Sequence, residues 1–123
     1  MSAIVQHAEH RRFSRIALRR PATLELFDRR VECELLDISL RGARFRVPAA
    51  TVEEGQVCTA TVHLAARTTI TMRGLVAHCR GEVVAVHCQR TDLDSLAHLR
   101  RVLELNLGDE RLVEAELSTF VGR

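Results

Sequence analysis

The spacing of the apolar residues changes once along the chain, and this change limits the folds open to it. Between Ala22 and Gln89, apolar and polar residues alternate in short runs separated by turn residues, as in half-buried β-strands. From Leu93 onward, leucines recur every three or four positions, as on one face of a helix. Six short strands followed by helices predict a mainly β fold, a six-stranded antiparallel β-barrel with C-terminal helices.

The apolar phase of the second predicted strand slips by one residue between Leu35 and Ile38. An extra residue in one strand of a pair produces a β-bulge, and bulges are frequent beside binding sites. We therefore predict a bulge at Leu35–Leu36 that turns Asp37 and Ser39 towards a ligand.

The length of 123 residues, 46% of them hydrophobic, suits one domain with one core. We expect residues 1–10 to form a flexible tail and residues 11–123 to form a single domain. Within it, the barrel is predicted at about 20–90, and the helices at about 93–107 and 109–120. We expect the first strand to end near Phe27, and Asp92 or Asp94 to be the N-cap of the first helix. The second helix is predicted to have a partly apolar face, marked by Leu112, Val113, Glu116, Leu117 and Phe120.

An arginine cluster follows the predicted tail. Arg11, Arg12 and Arg15 place three guanidinium groups within five residues. Each can contact a phosphate, or the O6 and N7 atoms of a guanine, with two parallel hydrogen bonds. The simpler interpretation is a solvated basic tail. A second, complementary motif elsewhere in the sequence argues against this interpretation.

That second motif is formed by Asp37, Ser39 and Gly42, after one strand-turn-strand length. The Asp37 carboxylate can accept hydrogen bonds from guanine N1–H and N2–H, and Ser39 adds a small hydroxyl. Gly42 lets a ligand approach the backbone because it has no Cβ. The alternative is an ordinary turn at a strand end, a role that does not exclude a ligand.

Together, in this order, the two motifs resemble the signature of the PilZ family, an RxxxR arm followed by [D/N]xSxxG on a small β-barrel. The matching positions are Arg11, Arg15, Asp37, Ser39 and Gly42. The resemblance covers nearly the whole chain, which looks like a stand-alone single-domain PilZ receptor. It implies reversible binding of cyclic di-GMP, a bacterial second messenger, with the arginines on bases and phosphates and the second motif on a guanine.

Three further residues are peripheral candidates. His10 stands where another arginine is frequent in the resembled family, Arg41 lies inside the second motif, and His78 offers a ring for stacking on a guanine. We interpret Arg44 and Arg46 as the exposed face of a strand, without a ligand role.

Catalytic and metal sites have little support. No nucleophile stands beside a histidine and an acid, and no glycine-rich phosphate loop opens a helix. His78–Cys79 and His87–Cys88 offer nitrogen and sulfur ligands, but adjacent strand residues point to opposite faces. A predicted turn at Arg80–Gly81 also pairs His78 with Val83. We therefore predict a receptor without enzymatic activity, metal or cofactor, whose ligand is cyclic di-GMP.

The expected partners are cyclic di-GMP and a protein target that the sequence does not identify. Reduced cysteines without CxxC spacing, no signal peptide and no long apolar run predict a cytoplasmic protein without a membrane span. We expect a monomer and leave weak dimerisation open.

Two other functions stay open. One is a degenerate PilZ-like interaction module that works through its leucine-rich helices without a nucleotide. The other is a small barrel that binds single-stranded nucleic acid. Four Phe with no Trp or Tyr leave few stacking platforms for the latter, so we predict no nucleic-acid partner.

Overall fold

The protein is described by a computed structural model covering residues 13–48 and 52–121. Six β-strands precede two α-helices in this part of the chain. The strands are β1 (Ile16–Glu25), β2 (Arg30–Ser39), β3 (Gly42–Arg46), β4 (Val57–Ala65), β5 (Thr68–Arg80) and β6 (Val83–Thr91). The helices are α1 (Leu93–Leu107) and α2 (Glu110–Val121).

The strands form a closed antiparallel barrel in the order β1-β2-β3-β6-β5-β4. Closure is made by β1 and β4, where Ala22 lies opposite Val62. Because every strand then has two neighbours, the ring has no free edge to pair with another chain. The predicted six-stranded barrel with C-terminal helices is confirmed.

The side chains that point inward from the paired strands fill the barrel interior. Ile38, Ala43, Val86 and Val76 form one such row across β2, β3, β6 and β5, and all are buried. Removing this apolar surface from water supplies the main driving force for the fold. The largest fully buried side chains include Phe45, Leu24, Leu35, Ile38, Leu40, Ile70 and Met72.

The predicted bulge in β2 is confirmed. Leu35 pairs with Phe45 and Asp37 pairs with Arg44, so Leu36 has no partner of its own on β3. Leu35 and Ile38 are both fully buried although three positions separate them. The extra residue therefore keeps both in the core and turns Asp37 to the outer face.

The first hairpin ends earlier than its sequence predicts. β1 stops at Glu25, two residues before the expected end near Phe27, because the Leu26 amide donates to the Arg29 carbonyl and closes the turn. Phe27 lies fully exposed at the tip of this turn.

The β5–β6 turn also differs from its prediction. Arg80 pairs with Val83, so the turn is made by Gly81 and Glu82, and His78 lies opposite Ala85 rather than Val83. A left-handed φ of 61° at Gly81 fits a glycine at this tight position.

Helix α1 packs against β5. It begins at the N-cap Asp92, whose side chain accepts a hydrogen bond from the Ser95 amide at 2.7 Å. The Ser95 hydroxyl in turn accepts a hydrogen bond from the Thr71 amide of β5 at 2.8 Å. Leu99 and Leu103 are buried beneath the helix.

A short connection separates the two helices. Gly108 ends α1 with a left-handed φ of 69°, as expected of a helix C-cap. In α2 the predicted apolar face is partly confirmed, because Val113 and Leu117 are buried whereas Leu112 is 41% exposed. In the described part of the chain, no helix is long and apolar enough to cross a membrane.

Two glycines allow β6 to lie close to its neighbours. A Cβ on Gly42 of β3 would overlap the carbonyl oxygen of Val86, and one on Gly74 of β5 would overlap that of His87. Both obstructing atoms belong to the backbone of β6, so a side-chain movement cannot relieve the overlap.

We predict that Gly74→Ala lowers the free energy of unfolding by about 1–3 kcal/mol, because the added methyl group forces the β5 and β6 backbones apart. Urea denaturation measures the change. Arg73→Ala, at the exposed neighbouring position, is the control and should stay within about 0.5 kcal/mol of the parent. Equal stabilities of the two variants would contradict the proposed close approach.

Candidate functional site

A row of residues on the outer face of the barrel contains the aspartate of the second motif. Asp37 of β2 lies between Ala17 of β1 and Arg44 of β3, and the row continues through Ala85 of β6 to His78 of β5. The two alanines flank the charged pair with small side chains. His78 is exposed and stands two strands from Arg44, about 10 Å at the usual strand spacing.

The Asp37 carboxylate is held by two arginines from different parts of the chain. Arg15 donates from Nη1 to Oδ1 at 2.7 Å. Arg44 donates to Oδ2 from Nε at 2.8 Å and from Nη2 at 2.5 Å. Only 8% of the Asp37 side chain is exposed, compared with 26% for Arg15 and 48% for Arg44. The guanidinium groups therefore cover the carboxylate.

Two opposing effects set the protonation state of this carboxylate. Burial acts to raise the pKa of Asp37, but the hydrogen bonds and positive charges of Arg44 and Arg15 outweigh it, and the net pKa is lowered. The hydrogen bond to Asp37 likewise raises the pKa of Arg44. At neutral pH the site contains one carboxylate and two cations, a suitable surface for an anionic ligand.

The turn that follows Asp37 is closed by its own polar groups. The Ser39 hydroxyl accepts a hydrogen bond from the Arg41 amide at 3.2 Å and lies 3.5 Å from the Gly42 carbonyl oxygen. The space that a Gly42 side chain would need is taken by the Val86 carbonyl. The absence of a side chain at Gly42 thus serves β3–β6 pairing, and its ligand contact stays a prediction.

Residues between the predicted arm arginines are anchored to the C-terminal helix. The Ser14 amide lies 3.1 Å from both carboxylate oxygens of Glu116, and the Ser14 hydroxyl donates to Oε2 at 2.5 Å. Phe13 is buried, and its ring meets that of Phe120 edge to face at a centroid distance of 6.0 Å. These contacts fix the chain immediately before Arg15.

Arg41 joins this anchor to the second motif. Its guanidinium carbon lies 5.5 Å from the Phe13 ring centroid and 5.7 Å from that of Phe120, a distance typical of cation–π contacts. The predicted peripheral candidate therefore connects the Ser39–Gly42 turn to the arm and to α2.

Arg44 is the site residue that sequence reasoning missed. Its side chain is exposed, as predicted for a strand face, but it also binds Asp37. Counting outward from the turn would have found it, because Ser39 pairs with Gly42 and Asp37 therefore pairs with Arg44. Arg46 fits its predicted place on the exposed face, with Glu34 at 4.0 Å.

The remaining predicted residues divide into two groups. His10, Arg11 and Arg12 lie outside the described residues. His78 and His87 are exposed on β5 and β6. Among residues 13–48 and 52–121, no group of three or more His, Cys, Asp or Glu side chains could hold a metal ion.

The cysteine thiols are unsuited to nucleophilic chemistry. Burial, with smaller contributions from the charges of Glu32 and Cys58, raises the pKa of Cys33 to about 12. Burial raises the pKa of Cys58 to about 11. Because the thiolate is the reactive form, both groups are inert at neutral pH.

We predict that Asp37→Asn lowers the free energy of unfolding at neutral pH by about 1–3 kcal/mol, since the charged partner of two arginines is lost. The pKa of Asp37 is lower in the folded state than its ordinary value of 3.8, so its contribution is complete above that value. As pH falls through the folded pKa, the parent carboxylate is protonated and the difference between parent and variant disappears.

Urea denaturation of both proteins from neutral pH to about pH 2 measures this difference. Asp28→Asn is the control, because Asp28 pairs with Arg29 in an exposed turn, where ion pairs contribute little. A difference that grows towards low pH would contradict the assignment.

The chain resembles known proteins in sequence and in fold. The PilZ domain family model matches residues 9–105. The chain is also similar in structure to the Bacillus subtilis inhibitor of motility (MotI/DgrA), with a TM-score of 0.64 and 13% identity. That match covers 80% of this chain but 52% of the inhibitor, so this chain spans about half of its length.

A second solved structure is the PilZ domain of CeSA from a cellulose-synthesizing bacterium. Here the TM-score is 0.57 at 14% identity, with coverage of 77% of this chain and 96% of the CeSA domain. At such low identities these likenesses show a shared fold, whereas the family model matches most of the sequence. The chain therefore belongs to the PilZ domain family, whose members are receptor and adaptor modules for cyclic di-GMP.

Proposed function

We propose that this protein is a bacterial receptor for cyclic di-GMP that passes the signal to a protein target without enzymatic turnover. One observation carries the proposal. Arg15 of the first motif lies 2.7 Å from Asp37 of the second, on the outer face of the barrel and beside the small side chain of Ala17. The groups suited to a phosphate and to a guanine edge therefore occupy one site on the outer face of the barrel.

In the proposed complex the arginines of the arm contact phosphates and the O6/N7 edges of the guanines. Asp37 accepts hydrogen bonds from guanine N1–H and N2–H, and Ser39 and Gly42 shape the turn beside it. The arm arginines are Arg11, Arg12 and Arg15, and the peripheral candidates remain His10, Arg41 and His78.

The output of the receptor is proposed to pass through the arm. Phe13 and Ser14 contact α2, and Arg15 follows directly, so a ligand that holds Arg15 also biases the position of the helix. The bound protein would present a changed surface to a target in motility, chemotaxis or surface attachment. We propose a cytoplasmic monomer with no cofactor.

The alternative functions have less support in the described residues. For single-stranded nucleic acid, stacking requires exposed aromatic rings. Phe45 and Phe13 are buried, Phe120 packs on Phe13, and Phe27 is exposed at the β1–β2 turn, away from Asp37. A nucleotide-free interaction module leaves the paired charges at Asp37 without a ligand role.

We predict that cyclic di-GMP binds the parent protein, and that Arg11→Ala and Arg15→Ala each weaken binding by about 1–3 kcal/mol without unfolding the barrel. Asp37→Ala should reduce selectivity for guanine most. Calorimetric titration measures affinity and stoichiometry, with thermal unfolding as the test of folding. Binding by all three variants equal to that of the parent would place the site elsewhere.

Competing ligands separate the proposed functions. GTP, cyclic GMP and a short single-stranded oligonucleotide are titrated in parallel. Cyclic di-GMP alone should saturate the protein. No binding by any ligand would favour the nucleotide-free interaction module, and preference for the oligonucleotide would favour nucleic-acid binding.

We also predict that cyclic di-GMP slows amide hydrogen exchange in α2, because binding and helix docking share the arm and are reciprocally coupled. Glu116→Gln should reduce this effect, since a neutral amide is a weaker acceptor for the Ser14 amide and hydroxyl. Glu114→Gln, on the exposed face of the same helix, is the matched control. If cyclic di-GMP leaves the amide hydrogen exchange rates of α2 in the parent unchanged, the coupling is refuted.

A further inference from the structure

Asp37 has too few acceptor positions for its present partners and a guanine together. A carboxylate offers about four lone-pair positions, two on each oxygen. Three of these positions are already occupied by N–H groups, one from Arg15 on Oδ1 and two from Arg44 on Oδ2. Guanine brings two more donors, N1–H and N2–H. At least one arginine contact must therefore be released when a guanine binds.

The two arginines are not equally well held. Arg44 makes two hydrogen bonds to Oδ2, and it stands directly across the β2–β3 ladder from Asp37. Arg15 makes one hydrogen bond to Oδ1, and its Nε is buried without a hydrogen-bond partner among residues 13–48 and 52–121. A buried donor without a partner is unfavourable, so Arg15 gains more than Arg44 from a new acceptor.

We propose that Arg44 is a positioning residue that keeps Asp37 aimed for guanine recognition, while Arg15 occupies the guanine position in the free protein and leaves it on binding. This inference rests on the proposed function. Release of Arg15 frees Oδ1 for the guanine edge and lets the Arg15 guanidinium, including Nε, contact a phosphate or a second base edge. Arg44 stays on Oδ2 and compensates the buried charge.

The roles of the two arginines then differ in a measurable way. Arg15 contributes affinity, because it contacts the ligand. Arg44 contributes selectivity, because without it the carboxylate loses its orientation towards N1–H and N2–H. The inosine analogue cyclic di-IMP lacks the 2-amino group of guanine and keeps the phosphates and N1–H, so the ratio of its Kd to that of cyclic di-GMP reports the contact between N2–H and Asp37.

The first measurement is calorimetric titration of the parent, Arg44→Ala, Arg44→Lys and Arg46→Ala with both nucleotides. In Arg44→Ala the Kd ratio should fall by about tenfold. Arg44→Lys should restore part of it, because lysine retains the charge but not the paired hydrogen bonds. Arg46→Ala removes the same charge from the same strand and should keep the parent ratio.

The second measurement uses the parent protein alone. In nitrogen-15 spectra of the arginine side chains of the parent, the Arg44 Nε–H signal should keep its chemical shift when cyclic di-GMP binds. Its hydrogen exchange with solvent should also stay slow. The Arg15 Nε–H signal should change its chemical shift, and its hydrogen exchange with solvent should become slower. Loss of the Arg44 signal with an unchanged Arg15 signal would overturn the proposed exchange of partners.

The outcomes separate this inference from the function on which it rests. If the parent binds cyclic di-GMP and Arg44→Ala keeps the parent selectivity, the positioning role is wrong and the receptor function stands. If the parent binds neither nucleotide, the receptor function fails and the positioning role fails with it.

Discussion

The extra residue at Leu36 is the constraint on which both the core and the site depend. The barrel interior requires Leu35 and Ile38 together, yet residues three apart in an uninterrupted strand face opposite sides. The bulge resolves this conflict because it resets the alternation between them. Asp37 then points outward, beside Arg44 on the neighbouring strand. Without the bulge, either an apolar side chain would leave the core or the carboxylate would enter it.

A carboxylate with so little exposure needs compensation, and two arginines provide it from separate elements. Arg44 belongs to the barrel, whereas Arg15 belongs to the segment before β1. The charge of Asp37 thus ties the start of the described chain to the middle of the barrel. The same arrangement suits a reversible receptor, because a phosphate can replace the carboxylate as the partner of one arginine without leaving the other unpaired.

The closed barrel leaves conformational change to the elements around it. All six strands are paired on both sides, and two backbone approaches to β6 are too close for any side chain. The arm and α2 are joined instead by a few contacts, among them the Ser14–Glu116 hydrogen bonds and the Phe13–Phe120 ring pair. Such contacts are weak enough to exchange, and Arg41 connects them to the turn beside Asp37.

The sequence by itself determined the local features: the strand alternation, the β2 phase slip, the helical period after Leu93 and the start of α1 at one of two predicted aspartates. These follow from interactions between near neighbours in the chain. Only the tertiary structure decided that Arg15 binds Asp37, that Gly74 faces the β6 backbone, and that Ser14 meets Glu116 102 positions away. Such contacts depend on register, strand order and helix placement, because the periodicity of a single segment does not specify its neighbours.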